Sequence, residues 1–224
     1  FKDLIFKVGG GIANNKNFKA LLLGGITGTV FSEKQLDIKL AFEDLKSHNA
    51  IVGSGGFFVM ADDICIVDTM KYLAEIQSRE SCGKCIPCRE GTIQLHEILT
   101  KITGRPIKDE DHKALDRFKG VLNMENIASV MNLTSMCNFG KYAPQPLLSS
   151  LKEFRSDFEE HVFDRKCVTN KCRNLRKYYI DARACTGCGA CSTRCPVAAI
   201  FGTPRETYAI IESKCIGCGK CQDA

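Results

Sequence analysis

Long apolar runs are missing from this chain of 224 residues; its uninterrupted hydrophobic stretches are far too short to cross a bilayer, which argues against direct membrane insertion. No charged stretch followed by an apolar block marks a secretion signal. Also missing is any G-x-G-x-x-G stretch. The glycines at 9–11 and 53–56 lack that spacing and read as turns, so the usual dinucleotide fingerprint is absent. With 44% apolar and 25% charged residues, the composition suits neither a disordered nor a membrane-spanning chain. The length is enough to bury a core in one large domain or in two to three small ones.

Cysteine, in contrast, is abundant: there are fourteen, ten of them in three tight groups. These are Cys82, Cys85 and Cys88; then Cys185, Cys188, Cys191 and Cys195; then Cys215, Cys218 and Cys221. Small disulfide scaffolds rarely space cysteines in triplets three residues apart. Such triplets suit thiolates around a metal core in a reducing, cytoplasmic compartment. The formal net charge of +5 is uneven, for residues 165–224 carry 11 Lys/Arg against 4 Asp/Glu. Nucleic-acid binding is one reading of that basic tail. The better one is compensation of negatively charged, thiolate-bound iron-sulfur clusters, so no nucleic-acid partner is expected.

Periodicity divides the chain into an α+β array. Residues 1–66 alternate short apolar runs with glycines, which predicts strands at 20–23 and 57–60, a further apolar run at 51–52 and one helix over 40–47. Residues 67–163 turn helical. Asp68 is the expected N-cap of a first helix through Met70, Leu73, Ala74 and Gln77, and a second runs from Ile93 to Ile102 and stops at Gly104 and Pro106. A third helix is expected around Leu115 to Leu122, a short fourth over 127–131, and a long fifth from Leu147 to Val162. A basic linker, 164–177, leads to the cysteine-rich unit at 178–224. There, strand, cluster loop and short helix are expected twice, at 177–180 and again at 208–211, because Cys185 and Cys215 are 30 residues apart.

The run Cys185-Thr-Gly-Cys188-Gly-Ala-Cys191-Ser-Thr-Arg-Cys195-Pro196 matches the spacing of bacterial ferredoxins, in which the fourth cysteine binds the other cluster of a pair. Over about 45 residues the tail resembles the two-cluster ferredoxin family. Gly187, Gly189, Gly217 and Gly219 occupy matching places in both halves. Zinc also uses Cys-x-x-Cys pairs, but a third cysteine at the same interval plus Cys-Pro argues against it. By the cross-over rule Cys195, Cys215, Cys218 and Cys221 hold one 4Fe-4S cluster, while Cys185, Cys188 and Cys191 await a fourth ligand. The expectation is a natural chain that continues past Ala224 with Cys-Pro and begins before Phe1.

Cys82, Cys85 and Cys88 need one remote cysteine to close a further 4Fe-4S site, and Cys137, at a helix end, fits. The surrounding residues, Glu80-Ser81-Cys82-Gly83-Lys84-Cys85-Ile86-Pro87-Cys88-Arg89-Glu90-Gly91-Thr92, resemble the signature of the flavoprotein subunit of respiratory complex I and its soluble relatives. Val8-Gly9-Gly10-Gly11, Gly53-Ser54-Gly55-Gly56 and residues 143–149 extend the likeness across 1–162. The resemblance implies a small β-grasp-like domain, then a helical bundle with a 4Fe-4S cluster beside the flavin, and Glu80 at the flavin edge. At residues 24–29 the family's Gly-Gly-Pro-Ser-Gly-Gly is replaced by Gly-Gly-Ile-Thr-Gly-Thr. FMN and NAD(H) belong to a domain that precedes this region in the family, so they are expected in the intact protein only.

An appended two-cluster ferredoxin resembles the corresponding subunit of soluble NAD(P)-dependent iron-only hydrogenases, including the electron-bifurcating type. That implies a hydrogenase catalytic subunit and a thioredoxin-like 2Fe-2S subunit as partners, with ferredoxin as a further one. A formate dehydrogenase or complex I variant is the alternative, as is a stand-alone iron-sulfur carrier without catalysis. His161, Cys167 and Cys172 form three-quarters of a zinc site, its fourth ligand sought beyond the carboxyl end; the other reading is two free thiols and a solvated histidine. Cys65, between Ile64 and Ile66, reads as a buried apolar residue. His48, His96 and His112 read as surface or capping residues, and Lys84, Arg89 and Arg194 as cations that either raise cluster potentials or are merely solvated.

Overall fold

The computed structural model describes residues 1–104 and 111–223, with the backbone alone for 111–114. Pro106 and the His112 side chain therefore lie outside the described residues. Strand β1 (Phe18–Leu23) is central in an antiparallel sheet of order β2-β1-β3, flanked by β2 (Thr29–Ser32) and β3 (Phe57–Ala61). Side chains alternate across a strand. Ala20 and Leu22 accordingly join the core of the helical bundle, whereas Leu21 and Leu23 pack with Phe1, Ile5, Phe31, Leu36 and Leu45 on the other face. From Ala20 on both faces of β1 are buried, which is why that part reads Ala-Leu-Leu-Leu without a polar position. Helix α1 (Phe42–Ser47) closes the second face through Leu45, and the apolar residues 51–52 are loop, not strand.

Helix α2 (Ile66–Glu80) starts one residue after Cys65, whose sulfur accepts the Asp68 N–H at 3.5 Å; Cys65, not Asp68, is the N-cap. Asp68 instead sits in the first turn, where its charge suits the helix dipole. Helix α3 (Ile86–Thr103) ends at Gly104 as expected. Helix α4 (Asp111–Thr134) replaces the two separate helices expected between 115 and 131. No proline interrupts that stretch, and the buried residues Val121, Met124, Ala128 and Met131 continue one apolar stripe through it. Gly91 on α3 sets how closely α4 approaches, since a Cβ there would sit 2.5 Å from Met131 Sδ.

A short helix not expected from the sequence, α5 (Asn138–Tyr142), begins directly after Cys137. The long helix expected from Leu147 to Val162 is broken into α6 (Gln145–Glu153), α7 (Arg155–Glu159) and one wide turn, Glu160–Asp164. Its break is at Phe154, whose φ −126°, ψ 38° leaves helical space and lets Phe158, His161 and Val162 all turn inward. Lys19 and Asp157 are joined across the sheet and α7 at 2.7 Å, with both side chains largely buried. The tail holds α8 (Ala190–Thr193) and a two-stranded ladder of β4 (Ile200–Phe201) with β5 (Ala209–Ile210). Residues 177–180 form no ladder, so the expected strand there is absent. Among the described residues no helix is long and apolar enough to cross a membrane.

Candidate metal centres

The bundle brings four cysteines from two distant stretches to one end. Cys82 and Cys85 lie in the loop between α2 and α3; Cys85 caps α3, Cys88 occupies its first turn, and Cys137 is the N-cap of α5. Burial pushes the Cys88 thiol above its usual range; Ser81 opposes this by hydrogen bonding, and the charges of Cys137, Cys85 and Cys82 add to the rise. Gly140 lets the two stretches approach closely, since a Cβ there would meet Ser135 Cβ at 2.6 Å and Cys88 Cβ at 3.2 Å. Arg89 donates to the Gly83 carbonyl at 2.7 Å and pairs with Glu90, so its guanidinium holds the cysteine loop closed. None of the four thiols is in a disulfide.

In the tail, the 30-residue duplication repeats hydrogen bond by hydrogen bond. Ala184 and Cys185 donate to the Asp181 carbonyl as Lys214 and Cys215 donate to that of Ile211, and Ser192 donates to Gly189 as Gln222 does to Gly219. Gly187, Gly189, Gly217 and Gly219 all take positive φ, which lets the loop turn its N–H groups inward. The halves are also exchanged. A Cβ at Gly189 would lie 2.8 Å from the hydroxyl of Tyr208, and one at Gly219 equally 2.8 Å from that of Tyr178, so each half's tyrosine covers the other half's loop.

Cys195 crosses over in the same sense. It lines, with Cys215, Cys218 and Cys221, a small pocket walled by Tyr178, Val197, Ile200 and Ile216. Backbone N–H groups reach the sulfurs: Ala199 to Cys195 at 3.2 Å and Gly217 to Cys215 at 3.4 Å. The Ala199 and Val197 amides lower the Cys195 thiol; burial, then Cys215, Cys218 and Cys191, raises that of Cys221. In the first triplet the Ala190 amide lowers the exposed Cys188 thiol. Four sulfurs, amide donors and apolar walls are the donor set a 4Fe-4S cluster requires. Arg194, a candidate tuning cation, donates to the Asp223 carbonyl and ties the two halves.

A second kind of centre lies where sheet, bundle and linker meet. Cys65, His161, Cys167 and Cys172 bring their ligand atoms within 4.8 Å of one another, and all four are at most 3% exposed. Cys65 Sγ lies 3.3 Å from His161 Nε2 and 3.6 Å from Cys172 Sγ, and Nε2 lies 3.4 Å from Cys172 Sγ. A zinc tetrahedron with Zn–S near 2.3 Å and Zn–N near 2.0–2.1 Å requires roughly 3.6 Å between S and N and roughly 3.8 Å between sulfurs. The group therefore fits such an ion, and its spacings are far too long for disulfides. His161 Nδ1 is held by the Asp157 carbonyl at 2.6 Å, which fixes the ring and turns Nε2 to the sulfurs. Burial works against a charged His161, but the hydrogen bonds its ring N–H donates to the Cys167 and Cys65 sulfurs outweigh it and push the imidazole up to about 10. Hydrogen bonds from Cys172 and Cys65 pull the Cys167 thiol down.

Cys65 is buried as expected, but it stands with His161, Cys167 and Cys172 as the fourth member of a group whose fourth member was sought beyond the carboxyl end. Its neighbours in the group are 96 and 107 residues away, so no local spacing marks it. Only the count does: after the eleven cysteines expected to hold clusters and two in the linker, one of the fourteen is left.

Comparison with known proteins finds two iron-sulfur family models in the chain. Residues 68–161 match the NADH-ubiquinone oxidoreductase-F iron-sulfur binding region, and 177–224 match the 4Fe-4S dicluster domain. The chain is 39% identical over 208 residues to the NADP-reducing hydrogenase subunit HndC of Solidesulfovibrio fructosivorans, covering 92% of this chain and 40% of that protein. It is 31% identical over 163 residues to the F subunit of the NADH-quinone oxidoreductase of Streptomyces coelicolor, covering 73% of this chain and 34% of that one. Among solved structures, an H2-reduced NAD+-reducing NiFe-hydrogenase superposes with a TM-score of 0.54 at 26% identity, over 65% of this chain and 23% of that one. The chain therefore spans about two-fifths or less of the curated relatives it matches. It joins an NADH-ubiquinone oxidoreductase-F iron-sulfur binding region to a 4Fe-4S dicluster domain, and is homologous to the C-terminal part of these oxidoreductase subunits.

Proposed function

We propose that this chain is the electron-transfer segment of an NADH-oxidising flavoprotein subunit, most closely akin to that of a soluble, cytoplasmic, NAD(P)-dependent hydrogenase. Cys82, Cys85, Cys88 and Cys137 hold one 4Fe-4S cluster, Cys195, Cys215, Cys218 and Cys221 a second, and Cys185, Cys188 and Cys191 three corners of a third. Cys65, His161, Cys167 and Cys172 hold a structural zinc that pins the start of α2, the turn after α7 and the linker 164–177. FMN and NAD(H) bind outside these 224 residues. When bound, the clusters supply one-electron exchange at potentials set by hydrogen bonds, charge and burial. The protein's own part is to fix the thiolates, aim backbone amides at sulfur and exclude water. Partners are a hydrogenase catalytic subunit, a thioredoxin-like 2Fe-2S subunit and, at the basic tail, ferredoxin.

The observation that carries this reading is the cavity in which Cys195 from one repeat faces three cysteines of the other. The hydrogenase form is favoured over a complex I variant because similarity to HndC covers 92% of the chain and so reaches well into the dicluster domain, whereas that to the Streptomyces coelicolor protein covers 73%. Anaerobic addition of NADH to the full-length protein is expected to reduce the clusters, read by EPR. In Cys195→Ser, one tail signal and about four iron per chain are expected to disappear while the bundle signal stays. Clusters that NADH leaves oxidised in the unsubstituted protein, or an undiminished tail spectrum in the variant, would contradict the proposal.

A further inference from the structure

Two serine hydroxyls stand in the cradle of Cys88 and Cys137. Ser81 follows α2; its Oγ accepts the Gly83 N–H at 3.4 Å and lies 3.5 Å from Cys88 Sγ. With the acceptor side so engaged, the hydroxyl proton is free to point at sulfur. Ser135, two residues before Cys137, is 3% exposed, and its Oγ is buried without a hydrogen-bond partner among the described residues. A buried hydroxyl left unpaired is costly and calls for an explanation. The explanation is in what the hydroxyl faces. A Cβ at Gly140 would lie 2.7 Å from Ser135 Oγ and 3.2 Å from Cys88 Cβ, so the hydroxyl and the cysteine both pack against this glycine and stand side by side.

Resting on the assignment of a 4Fe-4S cluster to Cys82, Cys85, Cys88 and Cys137, we propose that Ser81 and Ser135 are positioning residues that donate hydrogen bonds to the sulfurs of this centre and raise its reduction potential. Ser81 would donate to the Cys88 thiolate, and Ser135, whose hydroxyl packs beside Cys88, to a sulfur of the same centre. Reduction adds one electron and no proton, making the site more negative by one charge. A hydroxyl donor stabilises the more negative state more strongly, so its removal shifts the equilibrium toward the oxidised one. Backbone N–H groups do the same in the tail, at Cys195 and Cys215. The bundle centre adds side-chain hydroxyls, which substitution can delete one at a time.

The test is an EPR-monitored potentiometric titration of the full-length holoprotein, with dithionite as electron source, for Ser81→Ala, Ser135→Ala and Ser81→Thr. Each alanine variant is expected to lower the reduction equilibrium constant of the bundle cluster about tenfold, which is about 59 mV for a one-electron couple. Tail potentials should stay fixed, and threonine at 81 should return the bundle value to that of the unsubstituted protein. Should the alanine variants fail to keep the cluster, the unsubstituted protein answers alone: exchange into deuterated water should remove proton hyperfine couplings from the bundle signal. Unmoved potentials in both alanine variants, or no exchangeable coupling, would overturn the proposal while leaving the cluster in place. A full-length protein with no bundle 4Fe-4S signal would overturn both the proposal and the assignment beneath it.

Discussion

Cys137→Ser in the full-length protein is expected to remove one 4Fe-4S signal and about four iron per chain, with the tail signals and the zinc retained. Serine offers a hard alkoxide in place of a soft thiolate, and cluster iron prefers sulfur. The loss should be confined because Cys137 acts at one end of the bundle only, capping α5 beside Cys88. The core of α2, α3, α4 and α6 packs through Met70, Leu99, Met124 and Leu147, residues that do not depend on that cysteine. Far-UV circular dichroism should therefore be nearly unchanged. A complete set of signals in the variant would mean that another group closes the site.

Cys65→Ser is expected to release the zinc and to destabilise the junction between the bundle and the tail, without removing iron. Structural zinc sites contribute about 10–16 kcal/mol of apparent binding free energy in small peptides, and in such sites binding is coupled to folding. Loss of a direct ligand should weaken binding by more than the roughly 10- to 100-fold that follows loss of an outer partner such as the Asp157 carbonyl. The consequence is mechanical. Without the ion, Cys167 and Cys172 no longer tether the linker to α2, leaving ion pairs such as Lys171 with Asp63 at 3.0 Å, which solvent screens and which hold little by themselves. Zinc analysis and limited proteolysis check this: the variant should lose one zinc per chain and be cut within 164–177. Full zinc occupancy in Cys65→Ser would remove Cys65 from the ligand set.

The two kinds of centre differ in how far the amino-acid order reveals them. Ten of the proposed cluster cysteines are marked in the sequence because a cluster loop is local: three cysteines at intervals of three, glycines at the positive-φ corners, and a Cys-Pro that suggests the cross-over, whereas Cys137 is reached only as the remote partner its triplet needs. Cys65 is not marked, since it meets its group only after the sheet, the bundle and the linker have folded together, across 96 or more residues. Helices behaved likewise. Gly104 ended α3 where local chemistry required it, whereas the continuity of α4 and the break at Phe154 are decided by which side chains the core accepts. The tail's missing strand has the same origin, for β5 pairs with β4, while Tyr178 is used instead to cover the opposite loop.

Anomalous diffraction from crystals of the full-length holoprotein, recorded at the iron and zinc edges, tests the central claim most directly. Iron density is predicted among Cys82, Cys85, Cys88 and Cys137 and among Cys195, Cys215, Cys218 and Cys221, with one zinc between Cys65, His161, Cys167 and Cys172. Cystines or zinc in place of iron at either cysteine foursome would contradict it.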